Sequence, residues 1–279
     1  MNKPITKLIK TKYGYYRFDP IPDVDYSAYY SDVKPDYIKN MEEDIEWWNM
    51  IYDDRLREFK KGSIFDVGCG AGFFVKRANE KGWTAWGVDC NKDAIYYAQS
   101  ISDKLDIPIK CYPGHFEIIA NDKRNTNFFS NIHCSYLLEH LPDPEGMLKE
   151  CYRVLRKDGI ICVVVPNDFN PLQMLLKPKY GEYWIEYPWH INYFNFDSLQ
   201  ALMEDVGFKI EKVITGFPME VFALIKPPPT MTGNKELARL AQKIRMAIDI
   251  EMTWQQRDEI YTNLASFKIG REVIIYGTK

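Results

Sequence analysis

The sequence contains no run of about 18 apolar residues, the length a membrane span needs, so no transmembrane segment is expected. Met1 to Lys12 carries lysines but lacks the apolar core of a secretory signal. A soluble, cytoplasmic protein is the expectation. Positive charge is also in short supply: 36 Lys and Arg against 39 Asp and Glu leave a net charge of -3. That balance offers no basic footprint for a phosphate backbone, so no nucleic acid is expected as partner and small-molecule substrates move up. The six cysteines (69, 90, 111, 134, 151 and 162) form no CxxC pair, and most lie in or beside predicted strands. They read as buried free thiols, and no metal set is expected from them. There is no internal repeat and no low-complexity tract. At 279 residues the chain accommodates one α/β domain with insertions, and its length does not require a second.

What the chain does have is Ile64-Phe65-Asp66-Val67-Gly68-Cys69-Gly70-Ala71-Gly72-Phe73-Phe74, an apolar run ending in three alternating glycines before a helical pattern. This is the strand, tight turn and helix start of a βαβ unit. Glycine suits the turn because it takes positive φ without strain and lets a ligand lie against bare backbone. Asp66 stands two residues before the first glycine and would repel a pyrophosphate. It would attract a cofactor carrying an ammonium and a sulfonium, which favours S-adenosyl-L-methionine over a nicotinamide dinucleotide. Asp89, 23 positions after Asp66, ends the apolar stretch Trp83 to Val88. A carboxylate there can accept hydrogen bonds from two ribose hydroxyls. Asp66, Gly68, Cys69, Gly70, Gly72, Asp89 and the adjacent Cys90 are therefore candidate cofactor-binding residues.

On these residues the chain resembles the class I S-adenosylmethionine-dependent methyltransferases. Asp66 to Gly72 is similar to their first motif, and Gly87-Val88-Asp89 to their ribose-binding strand end. Leu137-Leu138-Glu139-His140-Leu141-Pro142-Asp143-Pro144, Leu155-Arg156-Lys157-Asp158-Gly159-Ile160 and Val165-Pro166-Asn167 resemble signatures of the branch that includes the ubiquinone-biosynthesis O-methyltransferases. The resemblance covers residues 62 to about 215 and is weak at both ends. It implies a Rossmann-like, seven-stranded, mostly parallel sheet with helices on both faces, and transfer of a methyl group to a small-molecule acceptor. Two positions depart from the branch. Ser130 or Asn131 stands where an aspartate usually begins the fourth strand, and Gly114-His115-Phe116 replaces the usual Gly-Asp.

The alternation of elements agrees with a parallel sheet. Strands are expected at 64–67, 83–88, 108–112, 129–135 and 159–165, with helices at 72–81, 91–101, 144–156 and 197–206. Phe208 to Thr215 and Arg271 to Gly277 read as the last two strands. Residues 62–215 with 271–279 would form the core. Residues 1–61 precede it as an aromatic arm and a helix from Pro35 to Lys61, whose Met41, Ile45, Trp48 and Ile51 recur at threes and fours. The Trp47-Trp48 pair is expected in the core. The arm either folds over the active-site mouth or packs on the core, with Tyr30 a candidate cofactor contact and Tyr29 a candidate acceptor contact. Residues 168–196, crowded with Asn, Tyr, Trp and Pro, suit an acceptor-binding loop rather than a packed helix. Residues 216–270 include Pro227-Pro228-Pro229 and a helix from Lys235 to Ile250. They read as a lid or a dimerisation surface, so a homodimer is possible.

Several side chains are candidates for chemistry. Ser135 and Tyr136 follow the fourth core strand, where backbone carbonyls can take the cofactor's ammonium. Gly114, His115 and Phe116 would border the adenine. Phe73 and Phe74 could wall the sulfonium or be plain core. A hydroxyl acceptor needs a proton acceptor, and the sequence has four histidines. His133 lies within a strand and reads as packing, while His140 reads as orienting its own turn. His190, in the aromatic loop, is the candidate general base or acceptor-orienting residue, with Glu186 and Tyr193 as partners. Its alternative is a histidine that ties the loop to its own backbone. Asp168, Asn170 and Gln173 either face the acceptor or cap the next turn. A nicotinamide oxidoreductase would need pyrophosphate room where Asp66 stands, and a macromolecular methyltransferase would need a basic docking surface. A cofactor-binding protein without catalysis would show the same residues.

Overall fold

The computed structural model describes residues 7–24, 38–105, 109–116, 121–122, 125–224 and 235–279. Tyr29, Tyr30 and the Pro227-Pro228-Pro229 run lie outside the described residues. The strands are β1 Lys7–Lys10, β2 Tyr16–Asp19, β3 Ser63–Val67, β4 Thr84–Asp89, β5 Lys110–Pro113, β6 Phe129–Ser135, β7 Leu155–Pro166, β8 Asn192–Tyr193, β9 Lys209–Ile214 and β10 Glu272–Thr278. The helices are α1 Ile45–Arg57, α2 Phe73–Glu80, α3 Lys92–Leu105, α4 Pro144–Val154, α5 Pro171–Tyr180, α6 Phe196–Val206, α7 Lys235–Glu251 and α8 Trp254–Ser266.

Seven strands form the expected central sheet in the order β5-β4-β3-β6-β7-β10-β9. β10 alone runs antiparallel, and it does so to both neighbours, β7 and β9. Successive strands leave β3 in one direction through β4 and β5, then return to its other side at β6. That reversal opens a crevice beyond the carboxyl ends of β3 and β6, where doubly wound sheets bind ligands.

Alternation along the strands divides the core into two layers. Phe65 and Val67 of β3, Ile132 of β6 and Val163 and Val165 of β7 face one cluster, which also includes Leu148, Leu199 and Leu202 from α4 and α6. Ile64 and Val164 face the other, with Phe74, Val75 and Ile95. Asp66 of β3 and His133 of β6 are both buried and stand opposite each other in the strand register.

The arm and the 168–196 segment meet. β1 pairs with β2, and β2 pairs with β8 from the 168–196 segment, in a separate three-stranded antiparallel sheet. Tyr15 packs 4.5 Å from Phe194, centroid to centroid, and is buried, so this part of the arm sits on the core. The 168–196 segment differs from the expected irregular loop by containing α5. Its local cause is readable: Asn170 caps the helix by accepting from Leu172 N (3.0 Å) and Gln173 N (2.9 Å), and Pro171 takes the first turn.

α7 and α8 pack on α1 through charged pairs rather than a purely apolar seam. Arg239 bonds the Asp44 carboxylate, Arg257 Nε donates to Asp54 at 2.8 Å, and Trp47 Nε1 donates to Asp249 at 2.9 Å. α7 thus closes one side of the crevice. Among the described residues no helix is long and apolar enough to cross a membrane, and all six cysteines are free.

Candidate functional site

A cavity of about 1260 Å³ opens at the carboxyl ends of β3, β6 and β7. Its walls come from the glycine turn, from α1 and α7, and from the Tyr136 to His140 turn with Glu186 and His190.

The glycine turn owes its shape to positive φ. Gly68, Gly70 and Gly72 have φ of 75°, 51° and 75°. A Cβ on Gly68 would meet Leu137 Cδ1 at 3.1 Å, and one on Gly72 would meet Ala98 Cβ at 3.0 Å. Gly68 N and Cys69 N donate to Val88 O (2.9 and 3.0 Å), and Gly70 N donates to Asp89 Oδ2 at 2.8 Å. The other Asp89 oxygen accepts from Asn91 N at 2.8 Å. Each carboxylate oxygen can accept twice, so Asp89 keeps capacity for a ribose while bracing the turn. Burial pushes its pKa up, against these backbone donors.

Asp66 does not stand alone. His133 Nδ1 lies 2.7 Å from Asp66 Oδ1, and its Nε2 lies 3.1 Å from Arg55 Nη1. The guanidinium can only donate, so Nε2 accepts and Nδ1 carries the proton to Asp66. Burial pushes the His133 pKa down, with Asp66 opposing, and the ring stacks on Phe74 at 3.9 Å. His133 is therefore more than packing: it belongs to a buried Asp66-His133-Arg55 chain that also reaches Ser135 Oγ, 3.3 Å from Arg55 Nη1. Phe73 and Phe74 both line the cavity, as do Trp47 and Trp48.

On the other wall the Leu138–His140 3₁₀ turn carries Glu139, 1% exposed, with neither carboxylate oxygen hydrogen-bonded. Burial raises its pKa well above the usual range, and Asp168 and Glu186 add to the shift. His140 Nδ1 lies 2.8 Å from Trp189 O, so that nitrogen donates and Nε2 faces Glu139 at 4.0 Å. His190 packs edge-on to His140 with ring centroids 4.9 Å apart, and its Nε2 is 3.8 Å from Glu186 Oε2. Burial lowers both imidazoles to about 4; His190 repels His140, and Arg271 repels His190. Both rings are neutral at pH 7. Ligand atoms of Glu139, His140 and His190 all lie within 4.8 Å of one another, a carboxylate and bis-imidazole donor set of the kind that can hold a divalent cation.

The remaining candidates are distributed as follows. Tyr136 lines the cavity at φ 54°, a conformation a non-glycine residue rarely adopts. Burial and Glu272 raise its phenol above the ordinary range, while the Arg245, Arg271 and Arg55 guanidiniums pull it back. The Tyr193 hydroxyl donates to the His190 carbonyl at 2.9 Å, and its ring lies tilted to the His190 ring with centroids 6.4 Å apart. Asn170 serves the cap, and its Nδ2 donates to Glu220 at 2.9 Å. Gln173 Nε2 donates to the same Glu220 oxygen at 3.2 Å, and Asp168 is buried with one oxygen unpartnered. None of Asp168, Asn170 and Gln173 borders the large cavity. Phe116 packs in the core 6.0 Å from Phe65, so its ring is not at a ligand face. Asp89, Cys90, Gly114 and His115 also lie outside the cavity lining; His115 is exposed and close enough to lower the Asp89 pKa.

Sequence reading missed Arg55, Glu139, Arg271 and Asn192. Arg55 had a signal, since it follows Trp48 and Tyr52 at helical spacing and is a charge on an apolar stripe. Buried Asn192 fastens the 168–196 segment to the Leu138–His140 turn, donating to Leu138 O at 2.9 Å and Leu141 O at 2.7 Å.

The reversed strand order, the glycine turn at its reversal point and the cleft above it define a Rossmann-like α/β protein. The sequence profile of the family described as "Methyltransferase domain" matches residues 48–213, and the chain belongs to that family. A ubiquinone biosynthesis O-methyltransferase of Coxiella burnetii is 27% identical over 129 residues, 41% of this chain and 54% of that protein. The chain thus spans about half the length of the curated relatives it matches. Among solved structures, a SAM dependent methyltransferase from Archaeoglobus fulgidus superposes with a TM-score of 0.56 at 17% identity, covering 87% of this chain and 99% of that one. A Haemonchus contortus phosphoethanolamine N-methyltransferase 2, solved with phosphomonomethylethanolamine and S-adenosylhomocysteine, gives 0.52 at 16% identity over 83% of this chain and 52% of that one. At these identities the two structures establish the shared fold.

Proposed function

We propose that the protein transfers a methyl group from S-adenosyl-L-methionine to a hydroxyl of a small cytoplasmic metabolite. The observation that supports this most is the composition of the cavity wall at the glycine turn. It places an acid, Asp66, and a buried guanidinium, Arg55, whose Nε has no hydrogen-bond partner, beside bare glycine backbone. An ammonium, a carboxylate and a nucleoside are the three groups such a wall accommodates, and the cofactor carries all three. Arg55 would take the methionine carboxylate, Asp66 and the Ser135-Tyr136 backbone the ammonium, and Asp89 the ribose. When bound, the cofactor supplies a methyl group made electrophilic by its sulfonium.

The chain's own residues then do two things. The cavity holds the acceptor oxygen in line with the methyl, which is the larger part of catalysis in a displacement of this kind. His190, neutral at pH 7, accepts the hydroxyl proton as the oxygen becomes nucleophilic, with Glu186 beside the resulting imidazolium.

The unpartnered oxygens of Glu139 favour a second reading of the same wall, in which Glu139, His140 and His190 hold a divalent cation. The cation would lower the pKa of the acceptor hydroxyl and take over the role of the base. An amine acceptor would need neither.

Calorimetric titration with S-adenosylhomocysteine, beside NADH and with Asp89→Ala, tests the cofactor assignment. Micromolar binding of the homocysteine product that Asp89→Ala abolishes is the expected result. Absence of binding, or a preference for NADH, would remove the assignment.

A further inference from the structure

Arg55, Arg245 and Arg271 line the same cavity as Tyr136. Among the described residues only Arg245 has an acid partner: its Nη2 bonds Glu272 Oε1 at 2.7 Å. Arg55 bonds a neutral imidazole and a hydroxyl. Arg271 follows the first turn of the returning chain into β10, and its backbone is held by Gly216 O and Asn167 N. Its side chain is exposed to the cavity and, among the described residues, makes no hydrogen bond or ion pair. Glu186, Glu220 and Glu272 act on it only at longer range.

A charge inside a protein cleft is costly unless it is paired, and a guanidinium is never relieved by losing its proton. Arg55 is buried with its Nε unpartnered, and Arg271, hydrated while the cavity is open, loses that water when a ligand fills it, so each is best met by an anion carried on the ligand. The cofactor brings one carboxylate, and Arg55 lies on its side of the cavity, bonded to the residues that end β6. Arg271 lines the cavity with Glu186 and His190, and its carbonyl accepts from Asn167 N at 3.1 Å, where the chain leaves β7 for the segment that carries His190. The planar five-donor fork of arginine matches a carboxylate or phosphate in bidentate fashion.

We infer that Arg271 is an anion anchor for the methyl acceptor, so that the acceptor is an acidic small molecule bearing a carboxylate or phosphate beside the group that is methylated. This rests on the methyl-transfer reading for the role of the second ligand, but the anion site itself does not depend on it. The anchor fixes one end of the acceptor at Arg271 and presents the other to His190. It also rejects neutral analogues, which would leave the guanidinium unpaired.

Matched probes decide the matter. The full chain is titrated calorimetrically, with and without saturating S-adenosylhomocysteine, using 3,4-dihydroxybenzoate against 3,4-dihydroxybenzyl alcohol and phenyl phosphate against phenol. Each titration is repeated on Arg271→Met and on Arg271→Gln, the second keeping a polar side chain in case the first misfolds. At least one anionic probe is expected to bind tenfold or more tightly than its neutral partner. That preference should fall to near parity in both variants while S-adenosylhomocysteine affinity stays within about twofold. The carboxylate and phosphate arms show which anion fits. Equal binding of charged and neutral probes, a preference that survives both substitutions, or loss of the homocysteine product in their place would each overturn the anchor. Failure of S-adenosylhomocysteine to bind wild type would overturn the methyl-transfer reading instead, and the ligand-free titrations would still decide the role of Arg271.

Discussion

Glu139 has two oxygens without partners in a nearly dry wall, and its state controls what the site can hold. Its folded pKa lies above the usual carboxylate range because burial penalises the anion. The folded protein therefore binds more protons than the unfolded chain between the unfolded value, near 4.5, and the raised one, and stability falls as pH rises through that window. Glu139→Gln removes the charge at similar volume. It is expected to raise stability at pH 8 by about 1–3 kcal/mol, roughly 2–5 °C in Tm, with the gain vanishing toward pH 4.5. Thermal melts at both pH values check this, and a gain independent of pH would show that the charge is not the cause. If Mg²⁺ or Mn²⁺ occupies the set, its addition raises the wild-type Tm and leaves Glu139→Gln unchanged. His190 has the opposite perturbation. Its pKa is lowered to about 4, so it remains a competent proton acceptor well below the ordinary histidine range. For a hydroxyl acceptor the acid limb of the kcat/KM profile, which reports the free enzyme, should fall near pH 4 rather than 6.5. His190→Ala should lower kcat about 10²–10⁴-fold with cofactor affinity retained. An unchanged kcat in that variant would remove His190 from the chemistry.

The β3-turn-α2-β4 unit was readable because everything that shapes it is local. Three positive-φ glycines, the apolar run before them and the acid ending the next strand lie within 24 residues, Asp66 to Asp89. Paired substitutions separate backbone strain from packing in this unit. Gly72→Ala must adopt φ 75° and bring a Cβ to 3.0–3.1 Å from Ala98, Cys111 and Ile109. Gly82→Ala must adopt φ 81° with nothing within 4 Å. The expected loss is about 1–2 kcal/mol for Gly82→Ala from φ alone, and more for Gly72→Ala, with weakened binding of S-adenosylhomocysteine only in the latter. Denaturant melts and one titration measure both, and equal losses would mean that the crowding around Gly72 relaxes freely. The side-chain network beside the turn was less legible than the turn itself for a physical reason. Asp66 meets His133 because β3 and β6 pair in a given register, across 67 residues. Period-2 alternation places each on a face but does not say that the two faces meet. α5 was legible in principle, since Asn170-Pro171 is a cap followed by a first-turn proline, but the aromatic composition of the segment outweighed that signal.

The whole molecule converges on the cavity from four directions: the glycine turn, α1, α7 and the loop carrying His190. The sequence assigned residues to the glycine turn and to the loop carrying His190 but none to α1 or α7, because those two meet the cavity through tertiary contacts such as Arg239 to Asp44. The same convergence makes ligand binding a property of global stability. A cofactor that bridges Asp66, Arg55 and Asp89 binds the folded state and has no site on the unfolded chain. At one hundred times its Kd it therefore stabilises by about 2.7 kcal/mol. With an unfolding entropy of about 2.1 cal/mol/K per residue, that corresponds to a rise of roughly 5 °C in Tm for a chain of this length. The shift should increase with the logarithm of S-adenosylhomocysteine concentration, should disappear in Arg55→Met and Asp89→Ala, and should be absent with NADH. Arg55→Met is the more informative variant, because a methionine fills most of the guanidinium's volume and leaves the glycine turn and Asp89 untouched. A wild-type shift that persists undiminished in Arg55→Met would mean that the cofactor's carboxylate is held elsewhere. Arg55 would then be a charge kept only for its bonds to His133 and Ser135.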